Sequence, residues 1–308
     1  MTTIGTVHEA VALLGRHGLD LAGVEPMVVM ALAEDLGGYG VLPAGTSLGV
    51  DVTSVATIPA DAEAEAEIVA RAAGRLAGAP VAAYVLALVC AEAGPVRIEV
   101  LAEDGDDVAR GDVVLRVRAN TRALLRAERV ALNLLTMISG VATATAAWAA
   151  ALEGTATQVR DSRKTVPGLR MLQKYAVRAG GGVNHRLSLA DAALIKDNHV
   201  VAAGGVVAAF EAVRREFPDI GVQVEVDSAE QARAVIAAGA TEILLDNMSP
   251  REMAAMVSAY GEEVIFEASG GLTLAAAAKV AATGVHFVAV GAITHSAPIL
   301  DFALDFRG

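Results

Sequence analysis

Short apolar runs alternate with Ala-rich segments of helical spacing through the second half of the chain. The runs are TQVR at 157–160, ALI at 193–195, VQVEV at 222–226, EILL at 242–245, VIFEA at 264–268 and FVAV at 287–290. Segments such as SAEQARAVIAAGA at 228–240 and LAAAAKVAATG at 274–284 lie between them. This alternation predicts βα units around a parallel sheet. Six strands are too few for a closed eight-stranded barrel, so we expect an open, partial barrel.

The first half of the chain predicts a separate mixed α/β domain. Residues 8–34 have helical spacing with a break near 18–23, and a Gly-rich loop follows at 34–54. Strand-like runs come next, AEIVARAAG at 66–74, VRIEVLAEDG at 96–105 and DVVLRVRAN at 112–120, and the last two flank Asp/Gly turns as paired strands do. We therefore expect an N-terminal α/β domain over residues 1–135 and a barrel domain over 136–308.

The composition narrows the class of protein. Hydrophobic residues make up 54% of the chain but aromatic residues only 4%, which favours packed helices and parallel strands. The net charge of −12 argues against a general nucleic-acid binder. The single cysteine, Cys90, lies in an apolar run, which indicates an inert core thiol. Residues 1–18 lack a secretory pattern and the apolar stretch 76–91 is too short to span a membrane, so we expect a cytoplasmic protein without a membrane partner.

One segment departs from the acidic background. Residues 160–196 contain eight Lys and Arg against two Asp, so a third of the 24 cations in the chain lie there. A local charge of +6 in a protein of net charge −12 predicts a site for a small anionic ligand.

Polar or small residues follow each of the six predicted strands. Because parallel strands around a barrel place their carboxyl ends on one face, these groups are expected to converge on one pocket. The strand ends are RDSRK at 160–164, KDNH at 196–199, EVD at 225–227, DN at 246–247, EASGG at 267–271 and Gly291. The cations among them and just before them are Arg163, Lys164, Arg186 and Lys196, and the carboxylates include Glu225 and Asp246. Such a mixture fits a substrate with several anionic groups together with Mg²⁺.

Two late glycine loops predict a phosphate cradle. ASGGLT at 268–273 and VAVGA at 288–292 each follow a strand and precede a helical segment, so their backbone N–H groups can face an anion. Other features of the basic segment have structural interpretations as well. His185 could be a packed histidine, and the glycines at 180–182 fit a helix C-cap. Arg170, Lys174 and Arg178 have the spacing of a solvated or subunit-contacting helix face.

Six motifs carry a resemblance to a known family. They are DSRKTVPGLRMLQKYAVRAGGGVNHR at 161–186, LIKDNH at 194–199, VEVD at 224–227, LLDN at 244–247, EASGG at 267–271 and ERVALNLL at 128–135. They resemble nicotinate-nucleotide pyrophosphorylase, also called quinolinate phosphoribosyltransferase, and the likeness runs from ALAEDLG at 31–37 to VAVGAITHS at 288–296. The resemblance implies an N-terminal α/β sandwich domain, a C-terminal open α/β barrel whose following tail could pack back on the first domain, and a homodimer with shared sites that could assemble further.

The resemblance also implies a reaction in NAD biosynthesis. Quinolinate and 5-phosphoribosyl 1-pyrophosphate would give nicotinate mononucleotide, pyrophosphate and CO₂, with Mg²⁺ as cofactor. Matching motif positions assign Arg129, Arg163, His185 and Arg186 to the quinolinate carboxylates, with Arg129 acting in the partner's site. They assign the catalytic residues as Lys164 and Lys196 at the reacting end, and Glu225 and Asp246 at the ribose and the metal. The further substrate-binding residues are Ser162, Ser269, Gly270, Gly271, Val290, Gly291 and Ala292.

The chain departs from the family pattern at two places. Residues 38–50 intervene where the family usually continues directly to the Asp51-Val52-Thr53 stretch, and Ser188 stands where glycine is common. Three rival functions remain open at this point. They are a paralogue that transfers phosphoribose to another acceptor, including one linked to molybdenum transport genes, an aldolase with Lys164 or Lys196 as a Schiff base, and a non-catalytic anion-binding module.

Overall fold

A computed structural model describes residues 2–38 and 49–307. Most of the 38–50 segment therefore lies outside the described residues. The described chain divides into two compact units. The first contains Met1–Ala144, Pro167–Gly180 and Ala297–Gly308, and the second contains Thr145–Val166 and Gly181–Ser296.

The strands are, in chain order, β1 (Thr2–Ile4), β2 (Glu63–Ala70), β3 (Gly74–Arg75), β4 (Arg97–Val100), β5 (Asp107–Val108), β6 (Val113–Asn120), β7 (Gln158–Arg160), β8 (Ala193–Ile195), β9 (Val222–Val226), β10 (Glu242–Asp246), β11 (Ile265–Ser269), β12 (Phe287–Ala289) and β13 (Phe302–Phe306).

The helices are α1 (Val7–Arg16), α2 (Leu21–Asp35), α3 (Val52–Thr57), α4 (Ala79–Cys90), α5 (Thr121–Ala151), α6 (Arg170–Ala179), α7 (Asp197–Ala203), α8 (Val206–Glu216), α9 (Ala229–Ala237), α10 (Pro250–Tyr260), α11 (Ala277–Ala281) and α12 (Ala292–His295). A 3₁₀ turn, Leu274–Ala276, precedes α11.

The first unit is built on a five-stranded sheet of order β1-β4-β6-β2-β13, in which every pairing is antiparallel. The alternation in β2 explains its two faces. Ala66, Ile68 and Ala70 are fully buried, whereas Glu67 on the opposite face pairs with Arg116 of β6 at 2.9 Å. The apolar helix α4 packs against β4 and β6, and the unit therefore has the sheet-and-helix layers of an α/β sandwich.

The second unit is built on a six-stranded parallel sheet of order β7-β12-β11-β10-β9-β8. All six predicted strands form, and the predicted open barrel follows from their order, because β7 and β8 pair with other strands and not with each other. The carboxyl ends of the six strands share one edge of the sheet. That edge positions the candidate site.

The domain boundaries differ from the single break expected at residue 135. Position 135 falls inside α5, a 31-residue helix whose last residues, from Thr145, belong to the second unit. The segment 167–180, which carries α6, belongs to the first unit although it lies between β7 and β8 in the sequence. The tail also joins the first unit, since β13 pairs with β2 from Phe302 to Phe306.

Helix α6 corrects one prediction. The Arg170, Lys174 and Arg178 spacing suggested a solvated or subunit-contacting face, but the Lys174 side chain is buried, with 1% exposure, and is partnered. Every residue from Leu172 to Val177 is buried. Periodicity identifies residues that share a helix face but does not say which faces the rest of the chain covers, and here the covered face includes a lysine. At the end of α6, Gly181 adopts a φ of +85°, as expected for a glycine after a helix.

Helix α5 has the length and hydropathy of a membrane-spanning helix. However, 61% of its apolar window is buried inside the protein, as is typical of a core helix. Helices α1 and α2 and the break between them agree with the prediction for residues 8–34. The predicted helix at 274–284 is shorter than expected, because it begins as a 3₁₀ turn and α11 ends at Ala281.

Candidate active site

A cavity of about 260 Å³ opens in the second unit at the carboxyl ends of the parallel strands. Its lining contains eight of the residues predicted from the sequence: Ser162, Arg163, Lys164, His185, Arg186, Lys196, Glu225 and Ser269. Four further lining residues had no individual site role in the prediction, namely Leu194, Leu244, Ala289 and Glu267, the last of which was expected only as part of the EASGG strand end. The cations and a carboxylate that the sequence suggested therefore do converge on one pocket.

The alternation of side chains along each strand explains the lining. Residues two positions apart lie on the same face of a strand, so Gln223 and Glu225 share one face of β9. Leu244 is in register with Glu225 on one side and with Glu267 on the other, so these three side chains point to the same face of the sheet. This face is the inside of the open barrel, and its strand-end residues surround the cavity.

Two arginines give the cavity its positive potential. Burial lowers the pKa of the Arg186 guanidinium, and the charge of the nearby Arg163 lowers it further. Arg186 is anchored by a hydrogen bond from its Nη1 to the carbonyl oxygen of Ala192, at 2.8 Å. Two guanidinium groups that repel each other in a partly buried pocket are stabilised by a bound anion, and their planar forks match carboxylates.

The lysines lie on different strand-end loops. Lys196 follows β8, and its Nζ lies 3.2 Å from Glu225 Oε2. Lys164 follows β7, where its backbone N–H donates to Ser162 Oγ at 3.1 Å. Its side chain packs against Gly291, so that a Cβ added to this glycine would lie 3.1 Å from Lys164 Cδ. The ion pair of Lys196 disfavours the aldolase alternative for that residue, because a Schiff-base lysine must be an uncharged amine.

The segment 183–186 is held to β7 by a buried carboxylate. Asp161 is fully buried, and it accepts hydrogen bonds from Asn184 Nδ2 at 2.7 Å and from the backbone N–H of His185 at 2.8 Å. Both ring nitrogens of His185 also have partners, since Nδ1 accepts from the Arg186 N–H and Nε2 lies 2.7 Å from Gln223 Oε1. The structure thus supports the packed-histidine interpretation of His185 while placing the ring in the cavity wall.

Buried polar side chains are joined across the sheet at the cavity wall. Glu267 is fully buried, and its Oε2 accepts from Arg160 Nη1 at 2.9 Å and from Gln223 Nε2 at 3.0 Å. Arg160 also lies over the Phe287 ring, at 4.5 Å from the ring centroid. Arg160 and Glu267 were expected only as members of converging strand ends, without an individual role, and Gln223 was not predicted. The available signal was a charged or amide side chain within an apolar strand, as in VQVEV and VIFEA.

Asp246 and the two glycine loops lie at the ends of neighbouring strands. Asp246 ends β10, does not line the cavity, and accepts from Asn247 Nδ2 at 2.8 Å. Gly270 has a φ of +95°, and a Cβ there would collide with the Asn247 side chain, so the loop requires glycine. Five residues predicted to hold the phosphate lie outside the cavity lining. They are Gly270, Gly271, Val290 and Gly291, in the loops after the paired strands β11 and β12, and Ala292, the first residue of α12.

The Ser188 departure has a local explanation. Ser188 Oγ donates to Asp191 Oδ1 at 3.0 Å and accepts from the Ala190 N–H, while the Leu187 and Ser188 amides donate to the same carboxylate. Partial burial opposes ionisation of Asp191, but these hydrogen bonds outweigh it and lower its pKa to about 2. A hydroxyl therefore braces this loop where a glycine would supply only backbone freedom.

Arg129 lies in the first unit, on α5. Its side chain is 61% exposed, and its Nη2 is 3.9 Å from Glu128 Oε1, which is a weak surface pair. Among the described residues no cluster of three or more His, Cys, Asp or Glu side chains could hold a metal ion. Burial raises the pKa of the Cys90 thiol to about 12, in agreement with an inert core cysteine.

Comparisons with known proteins identify the family. Residues 51–139 match the profile of the quinolinate phosphoribosyl transferase N-terminal domain, and residues 141–305 match that of the C-terminal domain. Nicotinate-nucleotide pyrophosphorylase (carboxylating) of Mycobacterium leprae is 49% identical over 260 residues, which cover 83% of this chain and 91% of that protein. A mitochondrial quinolinate phosphoribosyltransferase (decarboxylating) of Nicotiana tabacum is 36% identical over 301 residues, covering 91% of this chain and 81% of that protein.

Solved structures agree with the sequence comparisons. Nicotinate-nucleotide pyrophosphorylase from Francisella tularensis has a TM-score of 0.86 and 33% identity, covering 94% of this chain and 98% of that one. NadC from Streptococcus pyogenes has a TM-score of 0.86 and 35% identity, covering 94% and 99%. The N-terminal α/β unit, the open parallel barrel and the cationic cavity are thus accounted for together: the chain belongs to the quinolinate phosphoribosyltransferase family.

Proposed function

We propose that the cavity transfers phosphoribose from 5-phosphoribosyl 1-pyrophosphate to quinolinate and decarboxylates the product, as the names of the relatives indicate. The observation that carries this proposal is the convergence of Arg163, Lys164, Arg186 and Lys196 with Glu225 in one cavity. A volume of about 260 Å³ suits a single-ring dicarboxylate. The phosphoribosyl donor then extends from the cavity toward the loops at Gly270 and Gly291.

Each residue has a role set by its position. Arg163 and Arg186 bind the two quinolinate carboxylates, and Arg129 of the partner subunit completes that set in a homodimer. The ring nitrogen of quinolinate attacks the anomeric carbon while pyrophosphate leaves. Glu225 stabilises the positive charge that develops on the ribose ring, and Lys164 and Lys196 stabilise the negative charges at the reacting end.

Decarboxylation follows from the quaternised nitrogen. The C–CO₂ bond next to that nitrogen breaks, its electron pair stays on the ring carbon beside the positive charge, and this carbon takes one proton to give nicotinate mononucleotide. The reaction needs no protein nucleophile. The product belongs to NAD biosynthesis, and we infer a cytoplasmic location for the enzyme.

Magnesium fits the donor set of the site. Glu225 and Asp246 present oxygen ligands at the ends of adjacent strands, and Mg²⁺ is commonly bound by one or two carboxylates together with substrate phosphates. Bound Mg²⁺ would neutralise charge on the pyrophosphate as it departs. The protein's own residues would hold the metal only in part, so its affinity should rise with the phosphoribosyl donor present.

The test is mass detection of nicotinate mononucleotide from quinolinate, 5-phosphoribosyl 1-pyrophosphate and Mg²⁺. A second arm replaces quinolinate by nicotinate, which leaves buried arginine donors unpaired, a mismatch that can discriminate by roughly 10⁴. Comparable kcat/KM for the two acids would refute the assigned carboxylate pocket. Product formed with another acceptor but not with quinolinate would favour the paralogue alternative.

A further inference from the structure

A directed series of hydrogen bonds runs along the cavity wall from Glu267 to Arg186. Gln223 Nε2 donates to Glu267 Oε2 at 3.0 Å, His185 Nε2 lies 2.7 Å from Gln223 Oε1, and the Arg186 N–H donates to His185 Nδ1 at 2.7 Å. Glu267 and Gln223 are 0% and 3% exposed. Glu267 belongs to the strand end EASGG that was expected at the pocket, whereas Gln223 was not predicted to take part in the site.

The first and last residues in this series of hydrogen bonds determine which atom donates and which accepts at each step. Glu267 Oε2 accepts from Arg160 Nη1 as well, so the amide nitrogen of Gln223 faces Glu267 and its oxygen faces His185. A backbone N–H can only donate, so His185 Nδ1 must carry a lone pair toward Arg186. Both requirements lead to the same state of the imidazole, in which the proton is on Nε2. The other tautomer would place a proton against the Arg186 N–H and a lone pair against the Gln223 oxygen.

Arg160 lies at the Glu267 end of this series of hydrogen bonds. Its Nη1 donates to the same Glu267 Oε2 at 2.9 Å, and its guanidinium is only 17% exposed. Glu267 Oε2 therefore accepts from both Arg160 and Gln223, which makes it the acceptor end of the series. The Nε2 of His185 is itself 3.9 Å from Glu267 Oε2, so the carboxylate also faces the donor edge of the ring.

We propose that Glu267 and Gln223 are positioning residues that hold His185 as the Nε2–H tautomer and, through its Nδ1, fix the backbone from which Arg186 reaches the substrate. Arg186 is thereby held at both ends, by its N–H on His185 and by its Nη1 on Ala192. A guanidinium aimed in advance loses less conformational entropy when a carboxylate binds. The consequence for the substrate rests on the proposed function, whereas the tautomer of His185 does not.

The first experiment reads the tautomer without any ligand. Long-range ¹H–¹⁵N NMR of protein with ¹⁵N-labelled histidine distinguishes Nε2–H from Nδ1–H, and the signal that disappears in His185→Asn assigns the residue among the six histidines. Wild type should show Nε2–H. Gln223→Leu, in which only the Arg186 N–H still favours that form, should show a reduced Nε2–H fraction and some Nδ1–H. Wild-type His185 in the Nδ1–H form would overturn the proposal, as would an unchanged Nε2–H signal in the variant.

The second experiment measures binding by calorimetry. Gln223→Leu should weaken quinolinate by roughly tenfold to hundredfold, the range for a buried polar group that loses its partner, and should change the binding of 5-phosphoribosyl 1-pyrophosphate less than about twofold. Gln158→Leu, at an exposed glutamine of β7, is the matched control. Equal weakening of both substrates in a folded variant would indicate a general structural role and refute positioning.

If wild type fails to bind quinolinate, the proposed function is wrong, and the tautomer measurement still decides whether the series of hydrogen bonds exists.

Discussion

Removing the Glu267 carboxylate should cost the second unit far more stability than removing Glu225, the carboxylate proposed to act on the ribose ring. Glu267 is fully buried and accepts hydrogen bonds from Arg160 and Gln223, while Arg160 is 17% exposed. Glu267→Ala leaves a buried guanidinium without its counter-charge, which typically costs ~3–5 kcal/mol. It also removes the acceptor for the Gln223 amide, which adds ~1 kcal/mol. We therefore expect a loss of about 5 kcal/mol in the free energy of unfolding.

Replacing both partners should behave differently. Glu267 Oε1 and Arg160 Nε are buried without a hydrogen-bond partner among the described residues, so the pair does not fully offset its own desolvation. A Met in place of Arg160 can still pack on Phe287, which the guanidinium now covers. The double variant Arg160→Met/Glu267→Leu should lie within ~1 kcal/mol of wild type, as buried pairs often do when replaced by apolar residues. The difference from the single variants measures the coupling between the two side chains.

Urea unfolding followed by Trp148 fluorescence is the assay. Trp148 is the single tryptophan of the chain, is 7% exposed and belongs to the second unit, so its signal reports that unit. Glu225→Ala is the control, because its partner Lys196 is 45% exposed and such pairs contribute ~0–1 kcal/mol. The reasoning is refuted if Glu267→Ala lies within ~1 kcal/mol of wild type, or if the double variant is as unstable as Glu267→Ala.

Three further predictions concern the metal, one loop and the assembly. EDTA should abolish product formation, and Mg²⁺ should restore it. Glu225→Ala or Asp246→Ala should lower kcat by at least ~100-fold with an unchanged Trp148 signal. Full turnover in EDTA would contradict the metal requirement. The pKa of Asp191 falls from 3.8 to about 2 on folding, so its carboxylate stabilises the loop above pH 3.8 and that contribution is lost as pH falls through 2. Hydrogen exchange of the neighbouring amides should therefore be faster in Asp191→Asn at neutral pH, and the difference from wild type should disappear as the pH falls below 2. If Arg129 serves the partner's site, a 1:1 mixture of the inactive Arg129→Ala and Lys196→Ala variants should recover roughly a quarter of wild-type activity after subunit exchange, because half of the dimers are hybrids with one intact site. No recovery would place Arg129 in its own chain's site.

The local pattern of apolar and polar residues was sufficient to predict the barrel strands and the charged residues at their ends. All six barrel strands formed as the apolar runs indicated, and the side chains of Arg163 and Lys196, which lie far apart in sequence, line one cavity. The reason is that strand order and direction alone bring strand ends together, without any knowledge of side-chain contacts. Features that depend on packing between elements were not predicted. Examples are the burial of Lys174 and the division of the continuous helix α5 between the two units. The reason is that periodicity describes one element at a time.

The series of hydrogen bonds along the cavity wall, from Glu267 through Gln223 and His185 to Arg186, shows why the roles of buried polar residues are difficult to predict from sequence. Gln223 and Glu267 each appear as one polar residue in an apolar strand, and nothing local says that they meet across β10. Their meeting gives a direction to the hydrogen bonds, and that direction determines which nitrogen of His185 bears the proton. Both ring nitrogens of His185 already have hydrogen-bond partners. His185 is therefore better suited to holding neighbouring residues in position than to forming a new hydrogen bond with a substrate carboxylate. The carboxylate specificity should therefore reside in the arginines, and His185, Gln223 and Glu267 should act by holding one of them in place.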